Sequence, residues 1–138
     1  MEQQLESIKK RLITRVSPSL IYLFGSYAKG TEHASSDIDI AYMSDVVLSD
    51  YERFMLAEEL ASELNKDVDL VDLKLATTVF QTQIIATGKL IYCTDELLKM
   101  KFEMLTLKMY AKLNEERQVV LDKIRESGEV YETRRNSK

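Results

Sequence analysis

Gly25-Ser26, ten intervening residues and then Asp37-Ile38-Asp39 bring together the residue types that phosphate chemistry needs. Two aspartates placed i and i+2 on a strand project to one face, roughly 6 to 7 Å apart along the backbone. Carboxylates that close repel each other unless a cation lies between them. A hard divalent ion such as Mg²⁺ takes carboxylates together with phosphate oxygens. Gly25 lets a phosphate approach the backbone. Ser26 adds a hydroxyl and an N–H at an expected helix start, where unpaired N–H groups favour anions. A phosphate holder beside a metal holder points to phosphoryl or nucleotidyl transfer.

A third carboxylate would complete the arrangement, and Asp67, Asp69 and Asp72 are the candidates. Strand parity puts Asp67, Asp69 and Val71 on one face and Val68, Leu70 and Asp72 on the other. Asp69 is central among apolar neighbours, so it is the favoured third metal ligand and general base; Asp72 is the second choice. Lys29 follows the phosphate turn closely enough to touch a polyphosphate. His33 is the only histidine and Cys93 the only cysteine, which leaves no zinc set and no internal disulfide.

These groups need a scaffold. Leu5, Ile8, Leu12 and Ile13 have helical spacing within Glu2–Val16, ahead of Pro18. Leu20–Phe24 reads as a strand buried on both faces, Tyr27–Gly30 as a helical turn, and Asp37–Met43 and Asp67–Leu73 as two more strands. Ser49-x-x-Glu52 is a capping box, with Phe54, Ala57, Ala61 and Leu64 along one face of the helix that it opens. Thr78-x-x-Gln81 opens a further helix that Gly88 closes, and Lys89–Cys93 is a short last strand. Residues 95–127 contain neither Pro nor Gly. Unbroken, they make a helix about 50 Å long, which must break near Asn114 or project from a body of about 14 Å radius of gyration.

The expected organisation is one α/β (α+β) domain: a core over 1–94, a helical extension over 95–127 and a flexible tail over 128–138. With 138 residues, 45% of them hydrophobic, the chain can build a single core. No apolar run is long enough to cross a bilayer, and the acidic N-terminus lacks a signal peptide's apolar stretch. A net charge of −4 argues against a general grip on nucleic acid, and the lone cysteine fits the cytoplasm.

Leu23-Phe24-Gly25-Ser26-Tyr27-Ala28-Lys29-Gly30, followed by Ser36-Asp37-Ile38-Asp39-Ile40-Ala41, resembles the signature of the polymerase-β-like nucleotidyltransferase superfamily. Val68-Asp69-Leu70-Val71-Asp72-Leu73 is similar to its minimal nucleotidyltransferase branch. Through Thr78-Val79, Met109-Tyr110 and Glu116-Arg117-Gln118 the chain resembles the antitoxins of HEPN–MNT (type VII) toxin–antitoxin pairs. The resemblance implies a mixed sheet flanked by helices, with Gly25, Ser26 and Lys29 on the nucleotide and Asp37, Asp39 and Asp69 on Mg²⁺. It further implies transfer of AMP from ATP to a tyrosine of a HEPN ribonuclease toxin, in a hetero-oligomer with that toxin. Two alternatives remain: an antitoxin that acts by contact alone, and a small-molecule nucleotidyltransferase.

Overall fold

A computed structural model describes residues 2–33 and 35–136, with the backbone alone from 128 onward. Four strands, β1 (Leu20–Phe24), β2 (Ile38–Met43), β3 (Val68–Asp72) and β4 (Lys89–Cys93), form one sheet in the order β3-β2-β1-β4. β1 runs antiparallel to β2 and β4, while β2 and β3 are parallel. The expected mixed sheet is therefore present. Because β2 and β3 are parallel, their first residues share one end of the sheet with the last residue of β1.

α1 (Glu2–Val16) and α3 (Asp50–Leu64) cover one face of the sheet. Ile8, Leu12 and Val16 recur at the three-to-four-residue interval that keeps one helical stripe buried, and all are fully enclosed. Ser49 caps α3 reciprocally: its hydroxyl accepts the Glu52 N–H at 3.1 Å, and the Glu52 carboxylate accepts the Ser49 N–H at 3.0 Å. The buried stripe of α3 is Leu56, Ala57 and Leu60. It does not include Phe54, which is 59% exposed. Counting back from Ala57 by three reached an apolar residue that the rotation of the helix leaves outside.

The opposite face is covered by α4 (Thr78–Thr87) and the start of α5 (Glu96–Asn136), through Phe80, Ile84, Leu98 and Phe102. The cap of α4 lies one residue earlier than expected, since Thr77 accepts the Phe80 N–H. Gly88 closes the helix as foreseen, donating its N–H to Ile84.

α5 resolves the choice between breaking and projecting. Its 41 residues, about 60 Å at 1.5 Å per residue, pass through Asn114 without interruption. Leu98 and Phe102 pack on the sheet, Thr106 is buried, and Glu103 accepts the Tyr22 hydroxyl at 2.9 Å. Residues 114–127 are exposed on every side. Helical backbone continues beyond Ser127 to Asn136; the side chains of the tail over 128–138 lie outside the described residues.

Candidate functional site

β1 ends at Phe24, directly opposite Asp39 in the antiparallel register, and Asp39 pairs with Asp69 in the parallel one. Hydrogen-bond register thus sets two carboxylates side by side at the sheet's end, although thirty residues separate them in the chain. Both belong to the alternate set of side chains that faces α4 and α5, in line with Ala41 and Met43 on β2 and Val71 and Leu73 beyond β3.

Gly25 leaves β1 with φ 71°, a left-handed conformation that favours glycine, and opens α2 (Ser26–Lys29). Its missing side chain matters as much as its backbone. A Cβ there would lie 2.1 Å from Asp39 Oδ2 and 3.1 Å from Asp39 Cγ, so the glycine sits flush against the carboxylate. Because α2 is a single turn, its macrodipole is small, and the groups available to an anion are the first N–H groups themselves.

Burial pushes the Asp39 carboxyl up to about 6, and the negative charges of Asp69 and Asp37 add to the shift. Among the described residues, every influence that shifts Asp39 opposes its charge: burial first, then Asp69 and Asp37.

Asp37 differs from its expected placement. The ladder starts at Ile38, whose N–H donates to the Asp67 carbonyl at 2.9 Å, so Asp37 sits in the loop ahead of β2. A tight turn holds that loop. Buried Ser36 accepts the His33 N–H at 2.8 Å and donates its own N–H to the His33 carbonyl at 3.0 Å. Asp37 lines a cleft of about 500 Å³ with Asp67 and Glu58.

Asp72 points away from Asp39. It is 8% exposed on the α1/α3 face, and its Oδ1 accepts the Lys74 N–H at 2.9 Å, which commits it to the turn that ends β3. Among the described residues no three carboxylates, imidazoles or thiols already converge as a metal-binding group. The donor chemistry still suits a hard divalent cation: oxygen ligands, surplus negative charge, and a carboxyl whose ionisation is opposed by its neighbours.

A cavity of about 290 Å³ adjoins Gly25 and extends along α4 past Lys29, Phe80 and Gln83. The α4 residues carry no motif. Their only signal is position in the fold, since Thr78–Thr87 returns across the end of β1.

Comparison with known proteins identifies the family and the fold. The family model described as polymerase beta, nucleotidyltransferase matches residues 6–97. The protein adenylyltransferase MntA of Shewanella oneidensis is 47% identical over 108 residues, spanning 76% of this chain and 75% of its own. A chain from a toxin–antitoxin structure with AMP-PNP superposes with a TM-score of 0.78 at 42% identity, covering 87% of this chain and 97% of that one. A chain from the tri-AMPylated S. oneidensis HEPN toxin in complex with its MNT antitoxin superposes with a TM-score of 0.75 at 39% identity, over 90% and 98%.

Proposed function

The chain belongs to the polymerase β nucleotidyltransferase family, and from that premise we propose that it is a protein adenylyltransferase antitoxin. It transfers AMP from ATP to a tyrosine hydroxyl of a cognate HEPN ribonuclease toxin and so neutralises it. The observation that carries this reading is 47% identity to the adenylyltransferase MntA over three quarters of both chains. The Asp39–Asp69 pair beside Gly25 supplies suitable chemistry. Structural relatives that hold AMP-PNP and an AMPylated HEPN toxin support the donor and the acceptor class.

In this reading Gly25 and Ser26 hold the polyphosphate against the end of β1, with Lys29 at its flank. Asp37, Asp39 and Asp69 would hold Mg²⁺, which when bound offsets the charge of the phosphate oxygens and polarises the α-phosphorus. Asp69, exposed at the edge strand, accepts the proton of the incoming hydroxyl. The tyrosine oxygen forms a bond to the α-phosphorus, the bond from that phosphorus to the bridging oxygen breaks, and pyrophosphate leaves. An AMP group on the toxin then obstructs an RNA-binding surface by bulk and by negative charge. The reaction belongs in the cytoplasm, where ATP is available; no described helix is long and apolar enough to cross a membrane.

The exposed Leu97, Met100, Met104, Leu105, Leu107 and Met109 of α5 support a partner contact. Adaptable methionines among leucines suit a docking helix.

Intact-mass analysis of the co-expressed HEPN partner tests the reading. With ATP and Mg²⁺ the toxin should gain mass in steps of one AMP. The gain should fall by at least about a thousandfold in rate with Asp37→Asn/Asp39→Asn, the scale expected when charge stabilisation is lost. Tight, toxin-neutralising binding without any mass gain would overturn it.

A further inference from the structure

The chain offers no sequence motif that reads a nucleobase, yet the fold places a suitable surface at the phosphate turn. We propose that the cavity of about 290 Å³ beside Gly25 seats the adenine ring of the nucleotide, with Phe80 as the stacking wall and Gln83 as the residue that tells adenine from guanine. This rests on the transferase reading, because it takes Gly25 as the phosphate holder.

Gly25 is shared by both regions: one side meets the Asp39 carboxylate, and the other forms a wall of the cavity. A ligand lying across Gly25 therefore has one end at the carboxylates and the other against α4. The volume falls just below the roughly 300–1,000 Å³ of sites that enclose a whole small molecule, which suits one ring system rather than a whole nucleotide.

The wall chemistry selects an aromatic, hydrogen-bonding ligand. Phe24 and Phe80 meet edge to face, with centroids 5.6 Å apart and planes at 89°, so the two rings do not stack on each other. A flat base can lie against the face of Phe80, a contact that proteins use on any base.

Identity then falls to Gln83. Among the described residues nothing hydrogen-bonds its side-chain amide, whereas the neighbouring Thr87 hydroxyl is spent on the Gln83 backbone carbonyl at 2.7 Å. A carboxamide accepts from the adenine amino group while donating to the ring nitrogen beside it. Guanine shows two acceptors along that edge and cannot satisfy both halves. Lys29 at the cavity wall is a point charge and suits the phosphates. The larger cleft around Asp37 is a poorer seat, because it has no aromatic wall among the described residues and carries the carboxylates of Glu58 and Asp67.

Titration calorimetry of the full chain with ATP, GTP and tripolyphosphate tests the assignment, using wild type, Gln83→Leu and the nearly isosteric Gln83→Glu. Wild type should prefer ATP over GTP by about tenfold or more, at the lower end of what a bidentate amide contact discriminates. Both variants should lose most of that preference while tripolyphosphate binding stays within about twofold; Gln83 is exposed, so the fold should persist. An ATP-to-GTP ratio unchanged in the variants, or absent in wild type, overturns the proposal. Toxin mass gain in the same samples separates the two readings. A Gln83-dependent preference without AMP transfer leaves the subsite standing and sinks the transferase, and AMP transfer with a Gln83-independent ratio does the reverse.

Discussion

On the α1/α3 side of the sheet, β2 contributes Ile38, Ile40 and Tyr42, all fully buried among Ile8, Leu12, Val16 and Leu60. On the α4/α5 side the alternate residues of the same strand run Asp39, Ala41 and Met43. That layer has fewer buried members, and at the end of the sheet the positions on β2 and β3 that would continue it are the carboxylates Asp39 and Asp69. One strand thus serves two purposes by parity alone. The closed face supplies apolar burial, and the open end keeps negative charges together that folding by itself would separate. Stability and chemistry should consequently respond to different substitutions.

The largest effect on the closed face should come from Leu12→Ala, which leaves a cavity in a fully buried stripe and should cost about 3 kcal/mol. Urea denaturation measures that loss, and AMP transfer per folded molecule should be unaffected. A parallel fall in activity would mean that the two faces are coupled.

Gly25→Ala should reach the chemistry, with a cost in stability beside it. The new Cβ collides with Asp39 Oδ2 and must adopt a left-handed φ, a strain of about 1–3 kcal/mol. AMP transfer should fall on the order of a hundredfold, as the carboxylate is displaced. Activity within twofold of wild type would remove Gly25 from the site.

Asp39→Asn sharpens the contrast through pH. The folded carboxyl titrates near 6 against a usual 3.8, so the native state holds this proton more firmly than the unfolded chain does. Metal-free wild type therefore loses stability as pH rises from about 4 to about 6 and stays lower above that. Asp39→Asn should melt a few degrees higher at pH 8 and equal to wild type at pH 4. Identical melting curves at both values would show that Asp39 carries no such penalty.

The smallest effect is expected at Arg11, which bridges Glu63 at 2.9 Å and Glu59 at 3.3 Å from α1 to α3. All three side chains are about one third exposed. Arg11→Met should cost less than about 1 kcal/mol, and less still in high salt. A loss comparable to that of Leu12→Ala would move part of the closed face's stability from apolar packing to these ion pairs.

Local rules carried much of this structure. Alternation and helical spacing identified every strand and helix of the core to within a residue or two, because periodicity is a property of neighbours in the chain. The capping box at Ser49 and the closure at Gly88 were legible for the same reason. Gly25-Ser26 and Asp37-x-Asp39 disclosed the class of chemistry through residue type and spacing.

What the chain alone did not decide depended on register and packing between distant segments. Parity favoured Asp69, but only the pairing of β2 with β3 set it beside Asp39 and left Asp72 tied to a turn. Asp37 proved to precede its strand because the ladder begins where Asp67 offers its carbonyl to Ile38. Gln83 and Phe80 carry no local mark, and their place beside Gly25 follows from how α4 crosses the end of β1. Whether α5 breaks or projects was equally open. A helix without Pro or Gly has no local reason to stop, and only the tertiary structure shows that its packed stretch ends long before the helix does.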